Sequence, residues 1–514
     1  MKKIYLSILI LAVHITFSYS QATIKEWDEI KRENPDIHLD HLIRSDESGF
    51  YTLAIRTRGK GTDYYIEKYN KQGKMMFSQT IKDEPYYTLI APKYLYLFYT
   101  TYDKDAGKKT LTYQKLSSES GEKLDEIELD ELQSDEYGTY GRRFYMSLSP
   151  DKTKLLIVPQ FKWAGKPEET RFKLYDAVTM KLIWEKQIPN EFEDYKIQTG
   201  SFHLDNEGNV LFIYQYAVVL DDFKSDDKVG GSLAVINVKS KTIHQIKISL
   251  PEDKLLTSHI INITESGTAV VAGVFKDPPI KGKKKKGAPK RRAGVYYASI
   301  DLKTAKLGNE STTYFTDGVN AKLTYKFDGS DAPGDKYIHA TQIVEMDKSV
   351  YFIAENNYSI TVSSNNGSST TNYHNELIVS KINSSGSVVW MKVIPKSTSS
   401  RETGSLSDET ASTNYNLLTL NSKMYIVYLD HPKNADKTVD NYDPERLGKV
   451  LGIRGPNVVC VSIDGDGNAN KNVIHENEEF CMIPQVQDVL LDKSTLLVYM
   501  RKGKYEKFGT LVFQ

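Results

Sequence analysis

Cysteine, net charge, long apolar runs and helical periodicity are all scarce in this chain of 514 residues. Its two cysteines, Cys460 and Cys481, leave room for one disulfide and exclude a fold stapled by several. The other reading of Cys460 is a small apolar residue buried in a strand. Lysine plus arginine and aspartate plus glutamate each number 67. A formal charge of zero argues against a surface built mainly for nucleic acid or anionic membrane, although local patches stay open. Beyond Phe17 no stretch approaches the ~20 apolar residues of a spanning helix, so no transmembrane segment is expected in the mature chain. Only Asp125 to Leu132 hints at a helical turn or two. No G-x-S-x-G, H-E-x-x-H, Walker-type or C-x-x-C arrangement occurs, so the sequence assigns no reaction, cofactor or metal.

What is present is strand-forming material: 34 tyrosines and 39% apolar residues. Met1-Lys2-Lys3, an apolar stretch from Ile4 to Phe17 and Ser18-Tyr19-Ser20 read as a secretory signal cleaved after Ser20. The mature chain, 21–514, is therefore expected in the periplasm or outside the cell.

One hairpin recurs along that chain. Its clearest copy is Arg171 to Pro189, two apolar runs around Asp176-Ala-Val-Thr179. Copies follow Asn70, Asn237, Asp301, Asn383 and Asp464, with a degenerate one at Ser117. Each is preceded by a second, tighter hairpin, such as Phe144 to Val158 around Ser149-Pro-Asp-Lys152, and eight such pairs appear. Seven units complete four strands, and the eighth stops after its third, Phe508 to Phe513. The leftover segment Ala22 to Ile30, with Trp27, is expected to add the missing outer strand and close a ring. A short helix lying on the ring is the alternative. The fold class expected is all-β: a single-domain β-propeller of four-stranded antiparallel blades, eight of them, or seven should one weak unit be misread.

Asp176-x-x-Thr179-Met180-Lys181-x-x-Trp184 resembles the tryptophan-docking repeat D-x-x-T-G-K-x-x-W of eight-bladed quinoprotein-like propellers, with Met180 in place of glycine. Asn383-Ser-Ser-Gly386-Ser-Val-Val-Trp390 is a looser match, and Phe77 sits near the equivalent place in another unit. Ser149-Pro150-Asp151 resembles the S-P-D-G hairpin of TolB-like and prolyl-oligopeptidase propellers. The quinoprotein resemblance implies a vicinal cysteine pair over the cofactor. Cys460 and Cys481 are not vicinal, so no quinone is expected.

In a four-stranded meander the first-to-second and third-to-fourth turns share one face of the ring. Here they are short, whereas the long insertions, including Asp125 to Arg142, Asn356 to Asn375 and Leu429 to Asn457, fall on the other face. Long loops persist where they act, so that face is the candidate binding surface. Its candidate contacts are Tyr137, Tyr140, Trp163, Tyr358, Tyr373 and Tyr442, rings suited to a protein or a glycan. Lys284, Lys285 and Arg291 belong to a basic loop, Lys281 to Arg292, which reads as a solvated surface loop or an anionic contact; no nucleic acid is expected. Asp464-Gly-Asp466-Gly-Asn468 has calcium-like oxygen spacing but coincides with a turn. His41, His259 and His339 fall on innermost strands, where they could meet at the channel mouth. The expectation is an exported, non-catalytic binding propeller. The alternative is a propeller enzyme of lyase, lactonase or glycosidase type, marked by carboxylates and histidines converging at that mouth.

Overall fold

The computed structural model describes residues 22–32, 34, 36–59, 61–133, 142–161, 169–189, 196–217, 229–237, 242–248, 250, 254–264, 267–277, 292–304, 306–323, 338–364, 367–401, 415–444, 447–450, 455–483, 490–492 and 494–513. The chain is a β-propeller of four-stranded antiparallel blades. Seven are continuous in sequence, from blade one (His38–Ser45, Gly49–Arg58, Gly61–Asn70, Met75–Ile81) to blade seven (Tyr415–Leu420, Lys423–Asp430, Asn457–Asp464, Ala469–Glu476). A further sheet joins the two ends. In it Ala22–Glu29 pairs antiparallel with Tyr505–Phe513, which pairs with Thr495–Lys502, and Cys481–Ile483 and Leu490–Asp492 lie along the inner edge. The N-terminal segment is thus a strand, as the ring-closure reading expects, and not a helix.

Packing confirms closure. Each pair of neighbouring sheets shares one buried apolar cluster, and the series returns to its start. Leu39, Phe50 and Tyr69 of blade one pack on Leu497, Tyr499 and Phe508 of the closing sheet, which packs through Met482 and Leu511 on Tyr425 and Val458 of blade seven. With an apolar cluster at every interface, no sheet face among the described residues is left to be covered from outside the ring.

The recurrent turn sets the spacing between blades. Its Asn or Asp accepts hydrogen bonds from backbone N–H groups two to four residues on, as when Asn70 Oδ1 takes those of Gln72 and Lys74 at 3.0 and 2.9 Å. A residue with positive φ follows. It is glycine at Gly73, Gly121, Gly386 and Gly467, and in blade three it is Met180, at φ 56°. The substituted position of the repeat thus keeps the left-handed backbone that glycine adopts without strain. Against these turns the outer strand of the preceding sheet lays a side chain: Trp27 on Gly73, Phe77 on Gly121, and Trp390 on Gly467. Trp390 Nε1 also donates to Gly465 O at 3.1 Å.

Two readings of the acidic and polar insertions are corrected. Asp125 to Leu132 is neither helix nor loop but most of the outer strand Lys123–Gln133 of blade two. Its buried Asp130 pairs with Arg171 and Lys173 of blade three at 2.5 and 3.2 Å, so that carboxylate serves an inter-blade contact. Asn356 to Asn375 is a continued hairpin and not a loose loop.

Candidate binding pocket on the long-loop rim

In blade six the second and third strands, Ser349–Ser364 and Gly367–Ile382, outrun their neighbours. The inner strand Ile338–Met346 pairs only as far as Asn356, and the outer strand Val388–Ile394 only as far as Leu377. The remainder stands out from the long-loop rim as a two-stranded hairpin. Facing pairs hold its register: Thr361 and Thr370 hydroxyls at 2.9 Å, Ser359 Oγ donating to Asn372 Oδ1 at 2.5 Å, and the rings of Tyr358 and Tyr373 stacked at 4.8 Å and 16°. A short strand, Thr398–Arg401, pairs with the far edge of Thr371–His374.

At the base of the hairpin the register shifts between Glu355 and Asn357. Such irregularities re-aim side chains. An open pocket of about 430 Å³ lies here, lined by His339, Asn357, Tyr358, Ser359, Asn372, Tyr373 and His374. Beneath it, Lys396 is wholly enclosed, and its Nζ donates to Glu355 Oε1 at 2.8 Å. His374 Nδ1 lies 3.2 Å from Glu355 Oε2, and Asn357 Nδ2 donates to the same oxygen at 3.3 Å. Burial alone would raise the Glu355 carboxyl, but Lys396 and His374 outweigh it and hold the group down at about 2. Burial lowers Lys396, and Glu355 partly offsets that. Glu376, also enclosed, accepts from Asn356 Nδ2 at 3.0 Å. The pocket therefore offers ligands two aromatic rings, amides, a hydroxyl and two imidazoles, above a carboxylate already neutralised from within.

Of the residues singled out from sequence, Tyr358, Tyr373 and His339 meet in this pocket. Tyr442 serves packing close by: its hydroxyl donates to Lys322 O at 2.9 Å, tying the blade-seven insertion to the connection that leads into blade six. Tyr137, Tyr140, Trp163, Lys284, Lys285 and Arg291 lie outside the described residues. Of the three innermost-strand histidines, His339 lines this pocket and His41 and His259 do not. His41 contacts Asp40 at 2.8 Å on blade one, whereas His259 is half-buried mid-strand, its buried Nδ1 without a hydrogen-bond partner. His259 and His339 lie on adjoining inner strands, where Ala340 N donates to Ser258 Oγ at 2.8 Å. Of the two readings of the cysteines, the buried apolar one holds and the disulfide does not, because Cys460 and Cys481 are both buried free thiols. Cys460 packs in the apolar interface between blade seven and the closing sheet, where burial pushes its thiol up to about 12. Asp464 Oδ1 accepts N–H groups of its own turn, Asp466 and Asn468, both at 2.9 Å.

Glu355, His374 and Lys396 were not picked out by sequence reasoning. The available signal was the alternation Tyr358-x-Ile360-x-Val362 before Asn366-Gly367, a hairpin pattern inside what reads as an insertion. Among the described residues no group of histidine, cysteine, aspartate and glutamate side chains could hold a metal ion, and no helix is long and apolar enough to cross a membrane.

No family model matches the chain, and no curated protein resembles it in sequence. Solved structures do resemble it in shape. The β-propeller domain of the Trilobed protease from Pyrococcus furiosus is 12% identical, with 86% of this chain and 96% of that one covered and a TM-score of 0.37. The polysaccharide lyase Uly1 is 10% identical over 92% and 99%, at 0.39. A hypothetical selenium-binding protein from Sulfolobus tokodaii is 9% identical over 86% and 91%, at 0.35. These distant likenesses carry no chemistry to this chain.

Proposed function

We propose that the chain is an exported, non-catalytic propeller of the tryptophan-docking kind, whose blade-six pocket binds a glycan. The observation that carries this reading is the stacked pair Tyr358 and Tyr373, opening onto a pocket edged by Asn357, Ser359 and Asn372. Flat rings suit the C–H faces of a sugar, and short amides and hydroxyls satisfy its hydroxyl groups at fixed positions. A carboxylate neutralised by an enclosed lysine supports binding rather than turnover. The test is calorimetry or a glycan array with the mature chain beside Tyr358→Ala and Tyr373→Ala. Binding by the parent chain that both substitutions weaken is the expected result. A parent chain that binds no glycan, or variants that bind as well as the parent, would refute the reading.

One observation favours a second reading. His374 and Glu355 are paired as a base and its orienting carboxylate often are. An enzyme would shorten or modify the bound glycan on incubation and lose that activity on His374→Ala. Recovery of the glycan unchanged after prolonged incubation would leave binding as the function.

A further inference from the structure

We propose that the pocket selects acidic saccharides, and that Lys449, supplied by the neighbouring blade, does the selecting; this rests on reading the pocket as a glycan site. Lys449 belongs to the insertion of blade seven, yet that insertion is stitched to the frame of the blade-six pocket. Val450 N donates to Ser397 O, and Ser399 N donates to Val450 O, both at 3.0 Å, with Thr398 and Val450 in a parallel bridge. The segment held in this way is the one that carries Lys396 under Glu355. Fixing the backbone at Val450 places the exposed Lys449 ammonium 5.0 Å from the centre of the Tyr373 ring, at the pocket edge.

Lys449 has no carboxylate partner among the described residues. The nearby carboxylates are not presented to a ligand: Glu355 faces Lys396 and His374, and Glu376 is enclosed and takes the Asn356 amide. None of the seven lining side chains is acidic, and two are imidazoles. A sugar seated in the pocket against Tyr358, with its ring carboxylate turned toward the Tyr373 edge, would meet the ammonium, a charge-assisted contact that a neutral sugar cannot make. The competing role is packing alone, in which Lys449 merely covers the tyrosine ring. That role predicts equal effects on acidic and neutral ligands.

Binding of hexagalacturonate and of cellohexaose to the full mature chain, at low and raised salt, separates these. The parent should favour the acidic oligomer by about tenfold, and added salt should erode the preference. Lys449→Gln should abolish the preference and its salt dependence while leaving cellohexaose binding unchanged, and Lys449→Arg should retain both. A parent that binds the two oligomers equally, or a Lys449→Gln variant that weakens both alike, overturns the selectivity and leaves the glycan reading standing. Failure to bind either oligomer overturns both.

Discussion

The indole of Trp390 lies so closely on Gly467 that a Cβ on that glycine would come within 3.0 Å of its ring. Gly467 also has φ +85°, a backbone that L side chains rarely adopt. The turn of one blade is therefore shaped to receive an aromatic ring from the blade before it.

Gly467→Ala should consequently cost more than backbone strain. The left-handed conformation alone costs a non-glycine residue about 1–2 kcal/mol, and displacing Trp390 adds to that. Gly455, at φ +84° with open space around it, is the control, since alanine there meets only the strain. Urea unfolding should show a loss of about 3 kcal/mol for Gly467→Ala and about 1 for Gly455→Ala. Equal losses would mean that docking adds no stability.

The ring seam depends on Arg32. Its guanidinium pairs with Glu67 at 2.9 and 3.0 Å and also with Glu506, and all three side chains are buried. Glu506 additionally accepts from Leu39 N and from the Tyr499 hydroxyl. Arg32→Met would leave two carboxylates enclosed without their cation, at a cost of about 3–5 kcal/mol. Because the contact joins both ends of the chain, the variant should also show earlier cleavage near the N-terminal strand in limited proteolysis. Parent-like unfolding and cleavage would show that the seam does not rely on it.

The propeller was legible because its signals are local. Asp176, Asn383 and Asp464 each organise a turn within four residues, and the demand for positive φ at Met180 follows from the repeat itself. The closing strand was legible from an incomplete last unit. The chemistry of the pocket was not, because it depends on separations no window spans. Lys396 lies 41 positions from Glu355, and they meet only where the sheet register slips and a later strand returns. Tyr358 and Tyr373 could be named as rim aromatics. Their stacking on facing strands required knowing that an apparent loop is a hairpin.

Acid should weaken the fold well above the carboxylate range. Burial lowers both His203 and His259 to about 4, and each has a ring nitrogen with no hydrogen-bond partner. In the unfolded chain a histidine titrates near 6.5. The native state thus binds fewer protons, so this contribution is complete above about pH 6.5 and declines as pH falls toward 4. The decline amounts to roughly 3 kcal/mol per histidine at most. Denaturation midpoints measured from pH 7.5 to 4.5 should fall for the parent and fall less for His259→Gln. Parallel curves would show that His259 is protonated as readily in the fold as outside it.

Glu355 and Lys396 give the opposite kind of test, in which one change harms and a second repairs. Glu355 sits at about 2 in the fold and near 4.3 when unfolded, so its pairing stabilises the protein above about pH 4.3, and that contribution is lost as pH falls toward 2. Lys396→Met strands the carboxylate in an enclosed site and should cost about 3–5 kcal/mol at neutral pH. Adding Glu355→Leu removes the stranded charge and should restore most of that stability, because an apolar pair of similar size fills the same space. Glycan binding should not return with it, since His374 and Asn357 would both have lost the oxygen that orients them. A double variant that regains stability and binding together would make the buried pair a structural support only, and one that regains neither would show that the site cannot repack without its charges.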